Sequence, residues 1–238
     1  NMDIACVWEH NGNDTILKSE TCTGAYTRGE NRNAALEKMA AEVRSYYAWL
    51  GKPAPENLCP VIVQEKKSNL RIRDADSDVL FSSEEEPLTW EAYTELKALA
   101  LKSAADFQKL YDEIPDKNRS ALPVRSTFYG QVPRTAEEMY RHTKNVNNYY
   151  FGEIGIEADN TGTILECRER GFAALEQTSD FLTTPVREGS YGELWSLRKV
   201  LRRFVWHDRI HGKAMWRMAR KTFPELELKN IFCFQEGR

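Results

Sequence analysis

The chain lacks several features that mark large classes of protein. No apolar run approaches the roughly 18 residues that a membrane-spanning helix needs. The N-terminal stretch NMDIACVWEH has no basic segment followed by an apolar run, so we expect no signal peptide. There is no large excess of positive charge: the net charge of the 238 residues is −3, which argues against chain-wide attraction to nucleic acid. The composition therefore predicts a cytoplasmic, globular protein without a membrane partner.

Cysteine is scarce, and its spacing shows no paired motif. The five cysteines are an odd number, lie far apart and form no CxxC pair; they are Cys6, Cys22, Cys59, Cys167 and Cys233. This usage excludes a disulfide framework and a cysteine-rich zinc site, and it predicts reduced thiols in a cytoplasm. What the chain does have is apolar material, at 41% with six tryptophans. That amount is enough for a large core.

The first third of the chain predicts a small ββαβ domain over residues 1–75. DIACVWEH (3–10) and TILKSET (15–21) have strand composition and are joined by the turn signal Asn-Gly-Asn-Asp. Apolar residues recur every three or four positions over 33–50, which predicts a helix. CPVIVQEKK (59–67) is the third predicted strand.

An acidic stretch with several serines, residues 76–87, predicts a linker between two domains. Its Val-Leu-Phe insertion leaves an edge strand as an alternative. Beyond the linker, residues 88–238 carry helical patterns over four segments, namely 90–114, 136–151, 164–182 and 193–221. The predicted fold class is therefore α+β, with an N-terminal ββαβ domain followed by an all-α four-helix bundle.

Histidine is also scarce, yet three of the four histidines fall on predicted inward faces. In the last helix one stripe steps by four and three positions, through Val200, Phe204, His207, His211, Ala214 and Met218. A second stripe in the helix over 136–151 contains Met139, His142, Val146 and Tyr149. Only His10 lies outside the predicted bundle. The stripes predict that three imidazoles face one interior.

Two interpretations of these histidines remain open at this point. An i, i+4 pair such as His207 and His211 can present two imidazoles to one ion, a spacing that recurs in helical zinc sites. A histidine on an apolar face can also be an ordinary core residue whose ring nitrogens find hydrogen-bond partners. Three inward histidines without competing cysteines favour the metal, because a core must otherwise satisfy every ring nitrogen.

The phrases TAEEMYRHTKNVNNYY and VLRRFVWHDRIHGKAM resemble the DinB-like superfamily of four-helix bundle proteins, also called the DinB/YfiT type. The resemblance implies a divalent metal, zinc or nickel, held by His142, His207 and His211. It also implies an enzyme acting on a small molecule, either a transferase or isomerase that uses a low-molecular-weight thiol or a metal-dependent hydrolase. Residues 152–163 would form the long crossover of that family.

The phrase TGAYTRGENRNAALEKMAAEV resembles the HicB-like module of antitoxins. This resemblance implies an alternative function, a non-catalytic regulatory or interaction protein that binds a partner through its N-terminal domain. Nothing in the sequence defines the oligomeric state, and a dimer is left open.

Helper residues are weaker candidates than the histidines. Glu138 precedes His142 by one turn and Asp208 follows His207, so either could orient an imidazole or act as a base. Tyr149 and Tyr150 could close the site. For all four, an ordinary structural role is the stronger interpretation, and the sequence assigns no catalytic base and no substrate-binding residue. The basic residues of the last helix are expected on a solvated, ion-paired exterior, which makes nucleic acid an improbable partner.

Overall fold

The computed structural model of the protein describes residues 1–12 and 14–236. Asn13, in the predicted hairpin turn, and residues 237–238, at the end of the predicted bundle, lie outside the described residues. Within the described ranges, the chain forms one four-stranded sheet crossed by a helix, then five further helices and two short hairpins.

The sheet has the strand order β3-β2-β1-β4. β1 (Met2–His10) pairs antiparallel with β2 (Thr15–Ser19), which pairs antiparallel with β3 (Tyr26–Gly29). Helix α1 (Arg32–Trp49) then crosses to β4 (Leu58–Lys67), which lies parallel to β1. A parallel neighbour needs such a crossover, because a hairpin can join only antiparallel strands.

The start and the buried face of α1 follow from its sequence. Asn31 precedes the helix in extended backbone, and its side chain accepts a hydrogen bond from the N–H of Ala34. Ala35, Met39 and Val43 recur at four-residue spacing and are fully buried. This face packs α1 against the sheet and contributes to the main hydrophobic cluster.

The helices that follow are α2 (Trp90–Asp112), α3 (Ala136–Lys144), α4 (Asn147–Glu153), α5 (Ile164–Glu176) and α6 (Leu197–Thr222). Two hairpins interrupt them. The first joins β5 (Ser126–Thr127) to β6 (Gly130–Gln131), and the second joins β7 (Arg187–Glu188) to β8 (Leu194–Trp195). No described helix is both long and apolar enough to cross a membrane.

The predicted fold class, a ββαβ domain followed by an all-α four-helix bundle, is wrong. The molecule is mixed α/β, with a third strand, β3, between the second strand and α1 and with two hairpins among the later helices. β3 was missed because four residues are too few to show a strand period. The start of the last predicted helix was also placed too early, because residues 194–195 form β8 and Ser196 caps α6.

The helix predicted over 136–151 is broken into α3 and α4. Hydrogen bonds from asparagine side chains join the two sides of the break to the segment that follows α4. The amide of Asn147 donates to the carbonyls of Asp159 at 2.8 Å and Cys167 at 3.0 Å. The amide of Asn160 donates to the carbonyl of Asn145 at 3.3 Å. The crossover segment is thereby tied to the break.

The sheet and α6 share one apolar core. Leu17 of β2 and Val205 of α6 are fully buried in the same cluster. At the β2–β3 turn, Gly24 has φ +95°, and a Cβ there would lie 2.5 Å from a methyl carbon of Val205. Only glycine allows the turn to approach the helix so closely. This contact fixes the position of β3 beside the histidine-bearing part of α6.

The acidic segment 76–87 is anchored by buried contacts. The side chains of Val79 and Phe81 are buried, and the backbone there is irregular. The alternative prediction of an edge strand is therefore wrong. The carboxylate of Glu84 accepts hydrogen bonds from Arg202 of α6 at 2.5 and 2.9 Å, with both side chains buried. The division into domains 1–75 and 88–238 stays a prediction.

Candidate metal centre

His142 on α3 and His207 and His211 on α6 lie together. Their ring centroids are 5.3 Å apart for His142 and His207, 4.5 Å for His142 and His211, and 4.3 Å for His207 and His211. One nitrogen from each ring lies within 4.8 Å of the others. The three residues are therefore close enough to hold one metal ion, as the helical spacing predicted.

Local helix structure places the three rings. Positions 207 and 211 are one turn apart on α6, so their side chains lie on one face. His142 is in the last turn of α3, whose first turn is fixed by a capping box between Thr135 and Glu138. His207 is buried, His211 half-buried and His142 exposed. The cluster is thus rooted in the core and open to solvent at one side.

Burial keeps the three imidazoles neutral. The pKa of His207 is lowered well below its usual value, first by burial and then by the other two histidines and by the charges of Arg203 and Arg168. Burial likewise lowers the pKa of His211 well below the usual value, and His142 and Arg28 add to the effect. Partial desolvation of the ring by the surrounding protein also lowers the pKa of His142. Neutral imidazole is the form that binds metal.

The ring of His207 supports the fit of a metal. Its Nδ1 atom is buried and has no hydrogen-bond partner within the described residues. Burying such an atom without a partner is costly, so a ligand at this ring would satisfy it. A tetrahedral ion with bonds of ~2.0–2.1 Å needs ligand nitrogens ~3.4 Å apart. The nitrogens here lie within 4.8 Å of one another, so they would move closer by up to about 1.4 Å to bind one such ion.

Asp208, a candidate helper, is committed to structure. Its carboxylate is fully buried and accepts hydrogen bonds from Arg168 at 2.5 and 3.1 Å and from the hydroxyl of Ser103 at 2.5 Å. These contacts tie α6 to α5 and α2. Asp208 therefore has no contact with an imidazole, as its position about 100° from the histidine stripe suggested.

The other helpers are also structural. Glu138 accepts a hydrogen bond from the N–H of Thr135 and closes the capping box. Tyr150 is buried and accepts a hydrogen bond from Arg203 at 3.3 Å. Tyr149 is half-buried and stacks edge-on against Trp195 at 5.8 Å. None of the three hydrogen-bonds to a histidine of the cluster.

His10 is remote from the cluster, as predicted. It lies at the end of β1, where its ring is 2.7 Å from the carboxylate of Glu65 and stacks on Trp8 at 4.1 Å. It therefore provides a matched histidine for control experiments.

The expected solvated exterior of α6 is wrong for several of its arginines. Arg202 is buried against Glu84, and Arg209 is fully buried with one hydrogen bond to Glu42 at 3.1 Å. Arg203 is also buried and donates to the carbonyl of Ser77 at 2.8 Å. The spacing of the basic residues along the helix does not distinguish the buried arginines from the exposed ones.

A cleft of about 940 Å³ opens beside the cluster. His211 is part of its wall, together with residues of α1, β3, α6 and the segment before α3. Arg28 of β3 is half-buried in this wall, and its charge acts on His211. Sequence reasoning did not identify the cleft, because residues far apart in the chain form it.

Comparison with known proteins gives no match: no protein-family model, no curated protein and no solved structure matches this chain.

Proposed function

We propose that His142, His207 and His211 form a divalent-metal site and that the protein is a metal-dependent enzyme acting on a small molecule. Zinc or nickel is the proposed ion, and thiol-dependent transfer or hydrolysis is the proposed reaction class. The observation that carries the proposal is the convergence of three ring nitrogens within 4.8 Å on two helices.

The ligand set favours a catalytic site over a structural one. Structural zinc sites usually have four protein ligands, whereas catalytic sites have three and keep one position open. Within the described residues, no carboxylate or thiol joins the three histidines in the group. A divalent ion held here would lower the pKa of a water or thiol ligand toward neutrality.

The residues around the cluster have separate tasks in this proposal. His207 is held in the core by burial, which limits the motion of one ligand. His142 is exposed, which leaves the open side accessible to a small molecule. The buried pair of Arg168 and Asp208 holds α5 and α6 in register, so that α6 presents both of its histidines on a rigid element.

The alternative, a regulatory protein that binds a partner through its N-terminal unit, has one supporting observation. β4 is an edge strand, and it exposes Val61 by 40% and Val63 by 54%. Exposed apolar residues on a free edge can pair with another chain. A partner protein that binds residues 1–75 tightly, in a protein whose histidines take up no metal, would favour this alternative.

Metal analysis tests the proposal. Protein purified without a histidine tag should contain one divalent ion per chain, and His142→Ala, His207→Ala and His211→Ala should each lose most of it. His10→Ala should keep the full content, because that ring is remote from the cluster. Since His207 is buried, His207→Gln, which keeps more of the side-chain volume, separates loss of the ligand from loss of packing.

Two outcomes decide between the proposal and an ordinary histidine core. Stoichiometric metal that survives both His207→Ala and His211→Ala would refute the shared site. Failure of a chelator to change either metal content or thermal stability would also refute it, since an ion bound only by the folded state must stabilise that state. A shift in the visible spectrum of cobalt-substituted protein on addition of 2-mercaptoethanol favours the thiol-dependent reaction, and no shift favours hydrolysis.

A further inference from the structure

The cleft beside His211 carries more positive charge than its acidic residues can balance. Its cationic wall residues are Arg28, Lys38, Arg73, Arg125, Lys213 and Arg217. Three of the acidic wall residues already have partners. Asp74 pairs with Arg125 at 3.0 Å, Glu42 with Arg209 at 3.1 Å and Glu236 with Arg220 at 3.8 Å. Most of the other cations therefore lack a carboxylate partner within the described residues.

Arg28 is the most constrained of these cations. One of its terminal nitrogens donates to the carbonyl of Arg73 at 3.1 Å. Its Nε is buried and has no hydrogen-bond partner in the described part of the chain. A half-buried guanidinium with an unused donor is poorly compensated by the protein itself. An oxyanion in the cleft would supply the compensating negative charge.

Arg217 provides a second, independently placed cation. It is exposed, lies on α6 and belongs to the same cleft wall as Arg28 and His211. Since no ion pair holds it among the described residues, its side chain is available to a ligand. Arginine forks suit carboxylate and phosphate groups, because both can accept two parallel hydrogen bonds.

We propose that this cleft binds an oxyanion group, a carboxylate or a phosphate, of the small molecule that the protein acts on, and that Arg28 and Arg217 hold this group. The N-terminal sheet thus supplies part of the substrate site through Arg28 of β3. The identification of this ligand as the substrate rests on the proposed metal-dependent function. The binding of an oxyanion in the cleft is independent of that function.

Calorimetric titration of inorganic phosphate and of malonate into the metal-free, full-length protein tests the site at low ionic strength. At least one of the two anions should bind, and its identity distinguishes phosphate from carboxylate. Arg28→Gln and Arg217→Gln should each weaken the binding about tenfold or more, since each removes a charge-assisted hydrogen bond. Arg198→Gln is the matched control on α6, because Arg198 lies outside the cleft wall and donates to the carbonyls of Glu86 and Pro87.

Three results would overturn the inference. They are the absence of binding of either anion, unchanged affinity in Arg28→Gln and Arg217→Gln, and equal weakening in Arg198→Gln, which would indicate a diffuse charge effect. Arg217→Gln keeps the test valid if Arg28→Gln does not fold, since Arg217 is exposed. Anion binding that depends on both arginines, in a protein that takes up no zinc or nickel when either ion is added, would support the inference and refute the metal site. Metal binding without arginine-dependent anion binding would support the metal site and refute the oxyanion site.

Discussion

Removing the carboxylate of Asp208 should destabilise the fold strongly and leave the histidine ligands intact. Asp208 is 0% exposed and accepts hydrogen bonds at 2.5 and 3.1 Å from Arg168, which is 1% exposed. Without it, the guanidinium of Arg168 stays buried and loses the one ion pair that it makes among the described residues. Breaking a buried pair by removing one partner costs about 3–5 kcal/mol. We expect a loss of that size in the free energy of unfolding for Asp208→Ala.

Urea denaturation of Asp208→Ala, combined with metal analysis of the folded variant, measures both parts of this prediction. The double variant Arg168→Met, Asp208→Leu should recover much of the loss, because apolar residues of similar volume can replace a buried pair. A loss below about 1 kcal/mol would refute the reasoning. So would a variant of normal stability that has lost its metal, since that result would make Asp208 a support of the imidazoles.

Two further predictions concern pH and the acidic segment. Below pH 6.5 the unfolded state of the metal-free protein protonates His207 and His211, whereas the lowered pKa values keep them neutral when folded. The free energy of unfolding should therefore be constant above that pH and fall by up to about 2.7 kcal/mol per pH unit below it. Urea denaturation at pH 7.5, 6 and 5 measures this slope, with His10→Gln as the control. A free energy that does not change with pH would contradict the prediction. Glu84→Ala should release the segment 76–87 from Arg202 and speed its cleavage by thermolysin, whereas Glu86→Ala, which alters an exposed side chain, should not. Equal rates would show that the pair does not hold the segment.

The meeting of the three histidines could be predicted because helical periodicity is a local property. Residues 207 and 211 share a face at any position of an α-helix, and the apolar residues beside them predict that this face is inward. The same reasoning predicted that His142 faces inward, whereas its side chain is exposed at the open side of the cluster. Sequence alone did not show that the helix of His142 would end at Lys144, since the amide of Asn147 reaches carbonyls twelve and twenty positions away.

The cleft could not be predicted, because it depends on pairings between distant parts of the chain. Arg28 reaches the carbonyl of Arg73, and Gly24 lets β3 approach Val205. β3 itself has only four residues, too few for a periodic signal. The basic pattern of α6 was equally ambiguous, since exposed and buried arginines have the same spacing. The buried ones are met by carboxylates from distant segments, such as Glu84 and Glu42.

The carboxylates nearest the cluster in sequence are occupied, which bears on the proposed chemistry. Asp208 is held by Arg168 and Ser103, and Glu138 caps α3. Among the described residues, no carboxylate joins the three histidines within ligand distance. A divalent ion on neutral imidazoles would therefore keep its full positive charge, and the unpaired cations of the cleft would add to it. Like charges repel, so the ion and these cations would be more stable together when a bound ligand brings negative charge between them. The metal proposal and the oxyanion proposal therefore rest on different residues and meet in one expectation, an anionic ligand.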